Sequence, residues 1–341
     1  MENLFNINHS KMKTIHYLSG PHVNVEKGYW LYDQLVNDGF YIKPYYLFKY
    51  GHSRDLSTKV HRFTRSLKLL LSSKENELVL LYDVTTVFIL LGLFMNFLHL
   101  HRNVVAVNFM GSGNKNGYDM WKRPLVRMGL SRINKIGVNN ERLIDIYSQQ
   151  LKIDRTKFFI IKDCAANVDD KPRDCSIQDP SYVFMGGNVL RDWCLFKEIV
   201  KEMPDVHFVA VLNDDVLDDI KELPNLKINK NISLKEFNSL VAHCKIVFLP
   251  LKTEMQGGQL VAFQGSMYRK PVIITHCVSI DTYYGDDDVI KVNKGDKESC
   301  KNAIMKLLAN DNLCESLGKR GHDRIAKLTP EVIYDNIKAQ F

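Results

Sequence analysis

Seven cysteines occur in 341 residues, and no two of them form a CxxC pair. Cys164, Cys175, Cys194, Cys244, Cys277, Cys300 and Cys314 mostly lie within apolar segments. That excludes a disulfide framework and a thiolate zinc site, and points to a reducing compartment. There is no short-period repeat and no low-complexity tract. The opening residues, MENLFNINHSKMK, carry no apolar h-region, so no secretory signal is expected.

What is present is an ordinary soluble composition, 45% hydrophobic and 25% charged, in a chain long enough for two domains. The net charge of +7 is unevenly placed. Residues 1–170 hold 23 Lys/Arg against 15 Asp/Glu, and the remainder 23 against 24, so the balance runs from +8 to −1. A basic first half and a near-neutral second half suggest different partners, although a solvated basic surface gives the same count.

Short β-rich runs alternate with helical patterns. KTIHYL (13–18), FYIKPYY, LVLLY (78–82), VVAVNF (104–109), KIGV (135–138) and FFIIK (158–162) read as strands with helices between, the first helix running from Lys27 to Asn37. The series restarts near residue 181 with YVFMGG, HFVAVL, LKIN, KIVFLPL and PVIIT. This alternation predicts two doubly wound parallel-sheet units with a ligand cleft between the carboxyl ends of their strands. The polar, Pro-bearing stretch at 167–180 is the expected linker. The predicted boundaries are 1–170, 180–328, and a terminal helix at 329–341 that packs back on the first domain, with Thr329-Pro330 as its N-cap and first turn.

Two segments bear on membranes. Val84–Leu100, VTTVFILLGLFMNFLHL, is near the lower limit for spanning a bilayer, but Asn96 and His99 interrupt it and it follows a strand directly. It is expected to be a buried crossover helix. KVHRFTRSLKLLLSSK (59–74) sets Lys59, His61, Arg62, Arg65 and Lys68 beside Phe63, Leu67 and Leu70. Such a helix either lies on an anionic membrane or is a surface helix with a basic outer face.

The chemistry concentrates in the second half. GGNVLRDW (186–193) follows a strand. Gly186 and Gly187 allow backbone to approach a ligand, and Arg191 stands where a guanidinium meets phosphate bidentately. In PLKTEMQGGQLVAFQGSMYRKPVI, Gly257 and Gly258 open a helix whose N–H groups suit an anion. Gln259 and Gln264 add amides that donate and accept, as sugar hydroxyls require. Asp286-Asp287-Asp288 is read as a solvated loop, and no metal site is expected.

Taken in order and spacing, GGNVLRDWCLFKEIV, KINKNISLKEFNSLVAHCKIVFLPL and QGGQLVAFQGSMYRKPVIIT resemble the nucleotide-sugar domain of the two-Rossmann (GT-B) glycosyltransferases, family 4-like group. The similarity covers about 150 residues. In the first half, SGPHVNVEKGYWLYDQLVNDGFYI more loosely resembles the opening glycine-rich loop and first helix of the acceptor domain. The resemblance implies two Rossmann-like domains facing each other across a cleft. It implies donor contacts from Gly186, Gly187, Arg191, Lys252, Gly257, Gly258, Gln259 and Gln264, with the base received by backbone at Lys230, Asn231 and Ile232. Gly20, His22, Gly111 and Ser112 fall on the acceptor side. Family members often have two Glu residues eight positions apart where this chain has Gln256 and Gln264, so Glu254 or Gln256 is expected beside the transferred sugar. A histidine often found after the fourth strand is replaced within FMGSG (109–113).

The expected activity is transfer of a sugar from a nucleoside diphosphate sugar to a carbohydrate or lipid-linked acceptor. It is expected to proceed with retention and without metal or other cofactor, in glycan or cell-surface polysaccharide synthesis. The expected location is the cytoplasm, at the inner face of the membrane, with no nucleic-acid partner. A non-catalytic nucleotide-sugar or glycan-binding protein on the same fold is the alternative that the two Gln residues motivate. An epimerase or a sugar phosphorylase sharing the architecture is a third reading.

Overall fold

The computed structural model describes residues 13–48, 56–82, 85–109, 118–165, 182–255 and 257–341. Every strand pairing in it is parallel, in two six-stranded sheets. The chain divides into two units, one running to Lys162 and taking in Pro330–Phe341, the other Asp163–Thr329. The first crossing falls ahead of the linker read from the sequence at 167–180, all of which lies outside the described residues.

The first unit contains β1 (Thr14–Pro21), α1 (Trp30–Asn37), β2 (Tyr41–Phe48), α2 (Leu56–Ser72), β3 (Leu78–Tyr82), α3 (Thr85–Phe97), β4 (Asn103–Val107), α4 (Arg123–Leu130), β5 (Lys135–Val138), α5 (Glu141–Leu151) and β6 (Phe158–Ile160). Its strand order is β2-β1-β3-β4-β5-β6. β3 and β4 are near-continuous apolar runs because their residues face packed layers on both sides, as in other covered parallel sheets. Pro44 is tolerated within β2 because that strand lies at the sheet edge, where a missing N–H breaks no ladder. The helix expected from Lys27 begins instead at Trp30. Gly28 turns the chain at φ 98°, and its N–H is held by the Asp33 carboxylate at 3.0 Å.

The apolar run is accounted for by α3, a crossover helix of 13 residues with Val87, Phe88, Leu91 and Met95 buried. Among the described residues no helix is long and apolar enough to cross a membrane. Gly92 and Gly129 bring α3 and α4 so close that a Cβ on Gly92 would stand 1.6 Å from the Gly129 carbonyl oxygen. Asn96 seals the contact, donating to Met128 O at 2.6 Å and accepting from Arg132 Nε at 2.8 Å. On α2, Leu69 and Leu70 are fully buried, Phe63 meets the Phe94 ring edge-on, and Arg65 lies over Tyr46.

The second unit contains β7 (Val183–Gly186), α6 (Trp193–Glu202), β8 (Phe208–Val211), β9 (Leu226–Asn229), α7 (Leu234–His243), β10 (Ile246–Leu249), α8 (Gln259–Met267), β11 (Val272–Thr275), α9 (Val278–Tyr283), β12 (Ile290–Val292), α10 (Lys297–Leu308) and α11 (Asp311–Ile325). The order β12-β11-β10-β7-β8-β9 starts in the middle and winds outward both ways. One apolar cluster joins α6 and α10 to one face, around Phe196, Phe208 and Phe248. Another joins α7, α8 and α9 to the opposite face, around Phe184, Phe263 and Tyr283. The last helix, α12 (Pro330–Lys338), belongs to the first unit. Tyr334 and Lys338 both reach Asp38 at 2.6 Å, and Asn336 donates to Ile160 O. These bonds hold the Asp38 carboxyl below its usual range, Lys338 contributing most.

Gly92→Ala is expected to force α3 and α4 apart and to cost about 1–3 kcal/mol, the usual range for overpacking. Chemical denaturation checks this. An unchanged midpoint would mean that the helices are not in such close contact.

Candidate functional site

In the second unit the topological switch point lies between β7 and β10, the neighbours from which the chain leaves in opposite directions. Ligands of open α/β sheets bind in the crevice outside the carboxyl ends of the strands at this point. The loop after β7 carries Gly186, Gly187 and Arg191, and the loop after β10 carries Lys252, Glu254, Gly257 and Gly258. The two loops are stitched together. Arg191 and Leu251 form an antiparallel bridge, Asp192 N–H donates to Pro250 O at 2.8 Å, and Lys252 N–H donates to Leu190 O at 2.9 Å.

Arg191 does not project from the start of α6 as the sequence suggested. Asp192 is the N-cap there, accepting from Leu195 N–H, and the Arg191 side chain folds back under the glycine turn. It is 6% exposed, with Nε donating to Gly186 O at 2.8 Å and Nη1 to Val189 O at 3.1 Å. Burial pulls its pKa from the usual 12.5 down to about 10, so it stays protonated at neutral pH. Among the described residues it forms no ion pair. The turn that permits this has Gly187 at φ 97° and Leu190 at φ 59°. A Cβ on Gly187 would stand 2.8 Å from Arg191 Nη2.

Opposite, α8 starts at Gly258 in the left-handed conformation at φ 77°, with no side-chain cap. Its first-turn N–H groups therefore retain the partial positive charge of a helix start. The expected free N–H of Gly257 is in fact used, donating to Ser279 Oγ at 3.2 Å. The same loop caps α9, with Val278 N–H donating to Glu254 O and Ser279 N–H to Met255 O. Lys252 and Glu254 are exposed. Gln256 lies outside the described residues.

The remaining predicted donor residues have other partners. Gln259 is 8% exposed, and its Nε2 donates to Asp163 Oδ2 at 3.2 Å, so only its main-chain N–H faces the helix start. Burial pushes the Asp163 carboxyl up, opposed by hydrogen bonds from Gln259 and Tyr283. Gln264 donates through Nε2 to Asn238 Oδ1 on α7 at 2.9 Å, which leaves its carbonyl oxygen as the acceptor. Lys230 is paired with Asp215 at 2.6 Å and Asp218 at 2.8 Å. Asn231, at φ 54°, gives its N–H to Asn213 Oδ1, and Asn213 N–H goes in turn to Asn188 Oδ1. Ile232 packs at the edge of the apolar cluster beneath α7. Thus the loops after β7, β8 and β9 are joined by an asparagine chain that sequence reading missed. Its signal was an Asn near the carboxyl end of each of three consecutive strands.

In the first unit, Gly20 lies near the end of β1 and His22 opens the short 3-10 turn His22–Val25, beside that sheet's own switch point between β1 and β3. Gly111 and Ser112 lie outside the described residues. Asp286, Asp287 and Asp288 are engaged within their own unit: Asp286 pairs with Lys291, the Asp287 carbonyl accepts from Arg320, and Asp288 accepts from Gly285 N–H and Arg324. Among the described residues no group of three or more His, Cys, Asp or Glu is placed to hold a metal ion.

No family model matches the sequence, and no curated protein matches it either. Solved structures do. HepE from Anabaena, in complex with UDP and glucose, aligns over 96% of this chain and 98% of its own, with a TM-score of 0.67 at 10% identity. Sucrose-phosphate synthase from Thermosynechococcus elongatus aligns over 96% and 98%, with a TM-score of 0.70 at 11% identity. A putative UDP-N-acetylglucosamine 2-epimerase from Listeria monocytogenes aligns over 96% and 95%, with a TM-score of 0.65 at 12% identity. At these identities the likeness shows the fold, two Rossmann-like domains of the GT-B type, which transferases and an epimerase share.

Gly187→Ala combines a strained φ with a clash against the guanidinium, and is expected to lower stability by about 1–3 kcal/mol. A thermal melt equal to that of the unsubstituted protein would contradict the packing described for Arg191.

Proposed function

We propose that this chain transfers a sugar from a nucleoside diphosphate sugar to a carbohydrate or lipid-linked acceptor in glycan or cell-surface polysaccharide synthesis, at the inner face of the membrane. The observation that carries the reading is Arg191, a buried, protonated guanidinium with no ion pair among the described residues, across the switch point from an uncapped helix start. A buried cation without an anion is costly, and a dianionic diphosphate lying between it and α8 removes that cost. The bond from the anomeric carbon to the β-phosphate oxygen breaks, the acceptor oxygen takes that place with retention, and its proton leaves with the diphosphate. Charge grows on the diphosphate oxygens as the bond breaks. In this reading Arg191, the α8 N–H groups and Lys252 stabilise it without a metal. Gln264 accepts from ribose hydroxyls, the backbone at 230–232 receives the base, and Glu254 or Gln256 lies beside the transferred sugar. Gly20, His22, Gly111 and Ser112 contact the acceptor.

A second reading rests on Gln256 and Gln264 standing where the family that the sequence resembles often carries Glu: a protein that binds a nucleotide sugar and does not transfer it. Nucleotide release from a panel of nucleotide sugars, with and without acceptor, separates the two. Turnover that persists in chelator is expected. Binding without release supports the second reading, and no binding of any nucleotide sugar overturns both.

Arg191→Lys keeps the charge but loses the planar fork, so nucleoside diphosphate affinity is expected to fall by about 1.5–3 kcal/mol in calorimetry. Unchanged affinity would remove Arg191 from the site. Gln264→Glu should retain most of the affinity, whereas Gln264→Leu should lose about 1–3 kcal/mol by leaving hydroxyls unpaired. Glu254→Gln should lower turnover more than donor affinity, because a carboxylate beside the sugar acts on charge that develops in the transition state. Wild-type transfer by that variant would exclude Glu254 from the role.

A further inference from the structure

The first unit has a surface that the donor site does not use. On α4 the inward face is Val126, Gly129 and Leu130, which is enough to pack the helix on its neighbours. The outward face is nevertheless apolar. Leu125 is 53% exposed and Met128 47%, and the turn just before the helix exposes 78% of Met120 and 77% of Trp121. Trp121, Leu125 and Met128 follow the i, i+4, i+7 spacing of one helical stripe. Phe97, 81% exposed, ends α3, the helix that Asn96 bonds to α4 through Met128 O. Isolated exposed apolar residues need no explanation, but five large ones on two neighbouring helices and the turn before α4 do.

The charges around the stripe indicate what covers it. Residues 120–135 contain five cations, Lys122, Arg123, Arg127, Arg132 and Lys135, and no carboxylate. A groove of about 590 Å³ runs along α4, with Met120, Pro124, Met128 and Leu151 in its lining and Arg123, Arg127 and Lys152 as its charged groups. Among the described residues no acidic side chain lines it. Asp119, just outside, is neutralised by Lys122 at 2.7 Å. An apolar stripe with a purely cationic flank complements a surface that is apolar beneath and anionic above.

We propose that α4 is a membrane-docking element. It lies parallel to an anionic phospholipid bilayer, with Trp121, Leu125, Met128 and Phe97 entering the headgroup–acyl boundary, while Arg123, Arg127 and Lys152 hold lipid phosphates in the groove. The basic helix α2, which the sequence singled out, plays the lesser part. Its Leu69 and Leu70 are buried, and Phe63, although 46% exposed, packs on Phe94. Arg65 lies over Tyr46, and the exposed Val60 and Leu71 stand apart from one another. The inference deepens the proposed place at the inner face of the membrane, and because it shares no residue with the nucleotide-sugar site, loss of flotation and loss of nucleotide release are separate outcomes.

Vesicle flotation of the full chain tests it, using phosphatidylcholine vesicles and phosphatidylcholine–phosphatidylglycerol vesicles. The wild type should float with the anionic vesicles alone, with a blue shift of tryptophan emission that Trp121→Phe abolishes. Trp121→Ser/Leu125→Ser should lose flotation. Arg127→Gln/Lys152→Gln should weaken it about fivefold for each cation removed. Arg65→Gln/Lys68→Gln on α2 should float as the wild type does. All these side chains are on the surface, and circular dichroism checks that each variant folds. No flotation by the wild type, or flotation insensitive to the α4 substitutions, overturns the proposal. A dimer in solution that Trp121→Ser/Leu125→Ser dissociates overturns it as well, in favour of a second copy of this chain as the occupant.

Discussion

A single buried guanidinium organises the second unit's ligand-facing edge. Arg191 reaches back and donates to two main-chain carbonyls, Gly186 O and Val189 O. Its own backbone bridges Leu251, so the loops after β7 and β10 become one surface. The glycines are consequences of that placement: Gly187 has no Cβ because the guanidinium occupies its space, and its φ of 97° is the turn that lets the side chain fold under. A protonated group with no ion pair among the described residues keeps its full charge for an anion. The proposed stabilisation of a departing diphosphate rests on that preorganised charge.

Around this pair of loops the rest of the edge is held by backbone-directed bonds from small polar side chains. Ser279 and the start of α9 fix the Gly257 turn, and Asn188, Asn213 and Asn231 tie three loops in series. None of these residues carries charge, so they shape the crevice without competing for an anion. Three aspartates of this unit are engaged with other side chains: Asp215 and Asp218 with Lys230, and Asp163 with Gln259 and Tyr283.

The parallel architecture was legible because its cause is local. Alternating β-branched runs and amphipathic segments specify doubly wound sheets, and Asn96 and His99 marked α3 as something other than a membrane span. The glycine turns and Arg191 were legible as a cluster for the same reason. What sequence could not show was direction. Arg191 turns inward, Gln259 reaches an aspartate 96 positions earlier in the chain, and Gln264 meets an asparagine 26 positions earlier on another helix. Such partners are set by how helices pack, and no local pattern encodes them. The α4 stripe escaped notice for a related reason. Trp121 stands before the helix begins and Pro124 lies in its first turn, so the periodic pattern is short, whereas the longer, more regular α2 draws attention to charges that flank a mostly packed face.

The central claim is that Arg191 and the start of α8 hold a diphosphate between them. A crystal structure of the protein soaked with UDP tests it most directly. The account predicts that the β-phosphate lies within hydrogen-bonding distance of both the Arg191 guanidinium and the main-chain N–H groups at Gln259 and Leu260. UDP bound with its phosphates away from Arg191, or bound outside the switch point between β7 and β10, would contradict it.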